Sequence, residues 1–109
     1  MTVSREPQPR RRRAGDIRFH KEMAITREAF LRTLARALDG RQLHLRQDEV
    51  MVRETDRCFV IRLRVQDEHR LGALRLPRLR VEFHFSGYRR SDADELMSHI
   101  DRHFQRGGG

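Results

Sequence analysis

Two stretches of this chain place an apolar residue at every second position, and apart from Val60 the residues in between are polar or charged. The apolar positions are Phe59, Ile61, Leu63 and Val65 in the first stretch and Leu79, Val81, Phe83 and Phe85 in the second. Successive side chains of a β-strand point to opposite faces, so this period predicts two strands that each bury one face. A sheet of such strands needs a cover on one side and leaves its charged side chains in water on the other.

Shorter segments with the same alternation predict further strands. The odd-numbered residues of Ile17–Ile25 share one face, and weaker alternation follows over Leu43–Leu45 and Val50–Val52. The phase changes from odd to even numbers between the last two segments, which predicts a bulge or a turn there. Residues 55–57 are predicted to form another turn.

The stretch between the two clear strands is predicted to lack a full strand. Residues 67–72 are polar and are interpreted as a connection. Residues 73–76 are interpreted as a short optional strand that ends at Pro77, because proline cannot donate to a ladder of hydrogen bonds.

Two segments carry apolar residues at the spacing of an α-helix. The stripes are Phe30, Leu31, Leu34, Ala37 and Leu38 in the first, and Ala93, Leu96, Met97, Ile100 and Phe104 in the second. Thr26 is the predicted N-cap of the first helix, and Gly40 is predicted to end it at the C′ position. Ser91 is the predicted N-cap of the second helix, with Asp94 in the place of a capping-box acid.

These elements predict an α+β domain over residues 16–106, in the order β-α-β-β-(β)-β-α, followed by a glycine tail at 107–109. The economical packing is a single antiparallel sheet of four or five strands with both helices on one face. Its predicted core is Phe19, Phe30, Leu34, Ile61, Leu63, Val81, Phe83, Leu96, Ile100 and Phe104. The element order is similar to one half of the TATA-binding-protein saddle and to other two-layer sandwiches, and this likeness concerns fold alone.

The first fifteen residues form an N-terminal arm of different composition. They hold five arginines against one glutamate, and Arg10, Arg11, Arg12 and Arg13 are consecutive. Like charges in a row, together with proline and glycine, predict disorder. Such an arm either follows nucleic-acid phosphates or serves as a solubilising tail.

The predicted open face of the sheet is also basic. Arg18, Arg62, Arg64 and Arg80 fall on it with His20 and His84, against Glu22 and Glu82. This surface can bind a phosphate backbone, or its arginines and glutamates can pair across strands and merely solvate an exposed face. It has no aromatic residue, so base stacking of the kind that RNA-recognition sheets use is not expected.

The residues that suggest other chemistry have simpler explanations. His99 and His103 lie one helical turn apart, but Glu95 is the one local candidate for a third metal ligand. Cys58 lies beside Arg57, whose positive charge can make a thiol reactive. The alternative is that Cys58 is a small residue with a structural role in its strand. Arg89 and Arg90 precede a helix whose first turn is acidic, which opposes anion binding there. We therefore expect no enzyme, no metal site and no cofactor.

The net charge of +8 gives the strongest indication of function. The sequence predicts a small non-catalytic binding protein that binds nucleic acid through Arg10–Arg13 and through the open sheet face. The alternative is a protein–protein adaptor or a small homo-oligomeric interaction domain. In either case we expect a cytoplasmic monomer or homodimer that does not associate with a membrane, because no apolar run of membrane-spanning length and no signal peptide occurs.

Overall fold

The structure, a computed structural model, describes residues 16–107. It contains β1 (Ile17–Met23), α1 (Arg27–Ala37), β2 (Leu43–Arg46), β3 (Glu49–Arg53), β4 (Cys58–Leu71), β5 (Leu74–Ser86) and α2 (Arg90–Gly107). The predicted α+β class, with one antiparallel sheet and two helices, is confirmed. The predictions for the N-terminal arm, including Arg10–Arg13, and for the last two glycines lie outside the described residues.

The five strands form one sheet in the order β1-β5-β4-β3-β2, and every neighbouring pair is antiparallel. The first strand therefore lies beside the last strand, and α1 makes the connection across the sheet. In β4 and β5 the odd-numbered residues are buried from Phe59 to Leu63 and from Leu79 to Phe85. The helices cover this face, and they contact each other above it.

The core lies between the helices and the odd-numbered face of the central strands. Eight of the ten predicted core residues are buried, while Phe19 and Phe104 are half-buried and pack against the core. The ring of Phe104 stacks on that of Phe30 with centroids 5.0 Å apart, which joins the two helices. The ring of Phe59 stacks on that of Phe85 at 4.8 Å, which joins β4 to β5.

The helix termini agree with the sequence in part. Thr26 caps α1, and its hydroxyl accepts a hydrogen bond of 3.1 Å from the amide of Ala29. The C-cap of α1 is Leu38, so Asp39 occupies the C′ position, and Gly40, with φ +92°, lies one residue beyond it. The predicted cap at Ser91 is wrong, because α2 already begins at Arg90 and contains Ser91 in its first turn.

The change of phase after β2 is a tight turn. Arg46 pairs with Glu49, and Gln47 adopts a left-handed φ of 55° between them. Two-residue hairpin turns require positive φ because their twist must match that of the strands.

The largest correction concerns residues 66–78. The predicted connection and short strand are instead a continuous antiparallel ladder, which ends where Leu71 pairs with Leu74 around Gly72. The ladder is irregular between Gln66 and His69, and Pro77 lies opposite that irregularity. The missing N–H of proline is tolerated at such a bulge.

This hairpin extends beyond the neighbouring strands. The pairing of β1 with β5 ends at Leu79, and that of β3 with β4 ends at Arg62. Residues 66–78 therefore project as a two-stranded ribbon, here called the β-ribbon, and the fold is 59 Å long but only 28 Å wide. Val65, predicted to be buried in its strand, lies at the base of the β-ribbon and is 66% exposed.

Neither described helix combines the length and the apolar character needed to cross a membrane.

Candidate nucleic-acid interface

The open face is the side of the sheet that the helices leave uncovered. It carries seven arginines, three glutamates and three histidines on five strands. They are Arg18, Arg46, Arg53, Arg62, Arg64, Arg78, Arg80, Glu22, Glu49, Glu82, His20, His44 and His84. The open face is therefore basic even when the histidines are neutral.

The three glutamates pair with three of the arginines. The distances from arginine nitrogen to glutamate oxygen are 2.7 Å for Arg62–Glu49, 3.0 Å for Arg78–Glu22 and 3.4 Å for Arg80–Glu82. The side chains of these pairs are between 38% and 64% exposed. Such exposed pairs contribute only about 0–1 kcal/mol to stability, so a phosphate can compete for the same arginines.

The other four arginines supply the excess charge. Arg18, Arg46, Arg53 and Arg64 are exposed and form no ion pair with any residue in the described part of the chain. The expected cross-strand pairs form for Arg62 and Arg78, whereas Arg80 pairs with Glu82 of its own strand and reaches Glu22 of β1 only at 3.9 Å. An anion that contacts the remaining four displaces no acidic partner within residues 16–107.

Two arginines face each other at the centre of the ladder. Arg64 of β4 and Arg80 of β5 are direct register partners on the open face. Like charges opposite each other destabilise a sheet. Both residues line a depression of about 670 Å³, and its other charged lining residues are Arg46, Arg62, Asp48, Glu49 and Glu82. A phosphate placed there relieves the repulsion between Arg64 and Arg80.

The structure brings the four predicted sheet residues, Arg18, Arg62, Arg64 and Arg80, to one face. It adds Arg46, Arg53 and Arg78, which the sequence reasoning missed. In β2 the even-numbered residues lie on the open face, and in β3 the odd-numbered residues do. The alternation in the two segments could have placed Arg46 and Arg53 there, but only if the pairing of the strands had been known. Arg78 was missed because it follows Pro77 in a segment that was not interpreted as part of the main strand.

The aromatic residues lie elsewhere. Phe19, Phe59, Phe83 and Phe85 occupy odd-numbered strand positions on the helix side of the sheet. Phe30 and Phe104 belong to the helices. Within residues 16–107 the open face therefore presents no phenylalanine or tyrosine ring, and its aromatic groups are the imidazoles of His20, His44 and His84.

A second polar cluster lies on the helix side. Glu54 accepts hydrogen bonds from the Tyr88 hydroxyl at 2.6 Å, Arg41 Nε at 2.9 Å and Arg57 Nε at 3.1 Å. Arg57 also donates to Asp92 at 3.0 Å, and its guanidinium lies 4.3 Å from the centroid of the Tyr88 ring. These contacts join the turn before β4 to the start of α2.

The protonation of this cluster suits a structural role. Burial raises the pKa of Glu54, but hydrogen bonds from Tyr88 and Arg41 outweigh that effect, and the pKa lies below its usual value. Burial and the Glu54 carboxylate raise the pKa of Tyr88. Tyr88 therefore remains a protonated donor at neutral pH, and Glu54 remains a charged acceptor.

The two histidines of α2 are engaged with backbone. The Nε2 atom of His99 lies 2.7 Å from the carbonyl oxygen of Ala37, and Nδ1 of His103 lies 3.2 Å from that of His99. Among residues 16–107, no group of three or more metal-ligating side chains comes together. Cys58 is a half-buried free thiol on the open face.

No protein-family model matches this chain, and no curated protein is significantly similar to it.

Proposed function

We propose that this protein is a non-catalytic binding protein that binds nucleic acid through the open face, with the N-terminal arm as a second basic contact. The observation that carries the proposal is the seven-to-three excess of arginine over glutamate on one exposed sheet face. The guanidinium group matches phosphate geometry and forms two parallel hydrogen bonds with it. An extended face of this kind suits a polymer of phosphates better than a small ligand.

Sequence discrimination through the open face should be low. Its described residues include no phenylalanine or tyrosine ring for stacking, and phosphate contacts carry no sequence information by themselves. The N-terminal arm, with Arg10, Arg11, Arg12 and Arg13, adds charge that reaches further phosphates.

The test is the salt dependence of binding. Fluorescence anisotropy with a labelled duplex and a labelled single strand gives the slope of log affinity against log salt, which reports the number of phosphates neutralised. We expect Arg64→Ala to reduce the slope by about one and deletion of residues 1–15 to reduce it by several. Arg32→Ala is the matched control, because Arg32 is also exposed but lies on α1, away from the open face. The proposal fails if no binding occurs at ~50 mM salt or if binding persists at ~0.5 M salt with little loss.

The alternative function is that of a protein–protein adaptor. Leu45 on the edge strand β2 is 53% exposed. Within the described fold no strand pairs with the outer edge of β2, so that edge can pair with a strand of another protein. Binding through Leu45 would be insensitive to salt and to Arg64→Ala, so the same measurements separate the two functions.

A further inference from the structure

The β-ribbon has two different faces. Leu71, Leu74 and Leu76 share one face, which continues the open face of the sheet. Arg70 and Arg75 are register partners on the other face. The ribbon thus places an apolar tip beyond a basic surface.

The leucines at the tip are unusually exposed for their type. Leu71, just before the turn at Gly72, is 53% exposed, and Leu74, just after it, is 60% exposed. No helix or third strand in residues 16–107 covers them, because β1 and β3 end before the β-ribbon begins. Exposed apolar side chains of this kind often mark a binding site, so we expect a partner with a surface that fits a narrow apolar tip.

A second copy of this chain is a poor partner for the tip. The tip offers two largely exposed leucines, whereas a stable dimer buries about 800 Å² and roughly 20–30 residues on each partner. Residues 64–80 also contain five arginines against two acidic residues. Two such ribbons packed together would bring like charges into contact.

A polyanion fits this charge. Arg70 is exposed and has no ion pair among residues 16–107, and Arg75 reaches Glu68 only at 3.9 Å. Their direct opposition leaves a repulsion that phosphates relieve. Arg64 and Arg80 repeat the arrangement at the base of the β-ribbon. One arginine pair therefore lies behind the leucines on the opposite face of the β-ribbon, and the other lies at its base.

The dimensions point to one site on a nucleic acid. The major groove of B-form DNA is about 12 Å wide and 8.5 Å deep and admits a two-stranded β-ribbon. The deep, narrow major groove of A-form RNA excludes it. From Arg78 to Leu74 the ribbon extends roughly 13 Å, enough to reach the groove floor while the sheet remains on the phosphates.

We propose that the β-ribbon enters the major groove of duplex DNA and places Leu71 and Leu74 against the C5-methyl groups of thymine. Arg70 and Arg75, on the opposite face, then lie at the height of the phosphates that border the groove. This inference rests on the proposed function and adds to it a preference for duplex DNA and an apolar contact with bases.

The experiment compares two duplexes of the same A·T-rich sequence, one with thymine and one with uracil in its place, which lacks the methyl group. The full chain should bind the thymine duplex more tightly by about threefold to tenfold. The double variant Leu71→Ala, Leu74→Ala should bind both duplexes equally, with the salt slope unchanged. Leu45→Ala is the matched control, because Leu45 is as exposed as Leu71 but lies on the far edge strand. It should retain the preference for thymine.

Four results would overturn the inference. Equal affinity of the full chain for both duplexes, with a normal salt slope, removes the groove contact and leaves the proposed function intact. If the minor-groove ligand netropsin competes with the protein and the major-groove ligand methyl green does not, the β-ribbon binds in the minor groove and the inference is wrong. A concentration-dependent dimer that Leu71→Ala, Leu74→Ala abolishes assigns the tip to a second copy. Absence of any binding at ~50 mM salt overturns the proposed function as well.

Discussion

The hydroxyl of Tyr88 donates a hydrogen bond of 2.6 Å to the carboxylate of Glu54, which lies 34 residues earlier in the chain. The guanidinium of Arg57 lies over the ring of Tyr88 and also donates to Glu54, so the three side chains form one unit. This unit fixes the turn between β3 and β4 against the segment that leads into α2. It stabilises the fold on the side of the sheet away from the open face.

The first prediction is that Tyr88 ionises well above its ordinary pKa of 10.0. Burial and the nearby carboxylate disfavour the phenolate, so the folded protein gains stability below pH 10 and loses it as the pH rises further. The chain has one tyrosine and no tryptophan, so absorbance at alkaline pH reports Tyr88 alone. Protein unfolded in urea should titrate near 10. A native protein that titrates at the same pH would contradict the burial of the hydroxyl.

The second prediction concerns acid stability. The pKa of Glu54 is lowered in the fold, so its stabilisation is complete above the ordinary value of 4.5 and is lost as the pH falls below it. Glu54→Gln should destabilise the protein by ~1–3 kcal/mol at pH 7 and should flatten the loss of stability between pH 6 and pH 3. Urea unfolding at several pH values measures both effects. Asp67→Asn, at an exposed acid of the β-ribbon, is the matched control and should change the stability at pH 7 by no more than about 0.5 kcal/mol.

The third prediction separates the core from the base of the β-ribbon. Val81 is fully buried, whereas Val65 on the neighbouring strand is 66% exposed. Val81→Ala should cost roughly 2 kcal/mol through lost burial and a residual cavity, and Val65→Ala should stay within about 0.5 kcal/mol. Truncation of Phe83 or Ile100 to alanine should cost roughly 2–5 kcal/mol. Similar free energies of unfolding for the two valine variants would show that the sheet continues beyond Leu63 as a covered structure.

The fourth prediction compares two glycines with the same backbone conformation. Gly40 has φ +92° with open space around it, whereas at Gly87, with φ +84°, an added Cβ would lie 3.1 Å from Cβ of Arg57. Gly40→Ala should cost about 1 kcal/mol, the strain of a left-handed residue. Gly87→Ala should cost about 1 kcal/mol more, because the turn that holds Arg57 must shift. Equal melting temperatures for both variants would mean that this turn yields freely.

Local patterns were sufficient to predict the parts of the fold that are buried on one face. These parts are the alternating segments Phe59–Leu63 and Leu79–Phe85 and the helical stripe through Ile100. Each has one side in the core and the other in water along its whole length, and the sequence records that difference. The assignment of Arg18, Arg62, Arg64 and Arg80 to the open face follows from the same alternation. Thr26 was predictable because an N-cap depends on neighbouring residues alone.

The sequence by itself determined the class of fold, the face of each main strand and the excess of positive charge. Tertiary structure alone decided the strand order, the β-ribbon and the Tyr88–Glu54 hydrogen bond. A two-stranded ribbon has water on both faces, so residues 66–73 carry no apolar period that marks them as strand, and the short alternation of Leu74 and Leu76 predicted only part of the second strand. Strand order and the contact of Tyr88 with Glu54 join segments far apart in the chain, and only their common packing on one core fixes those distances.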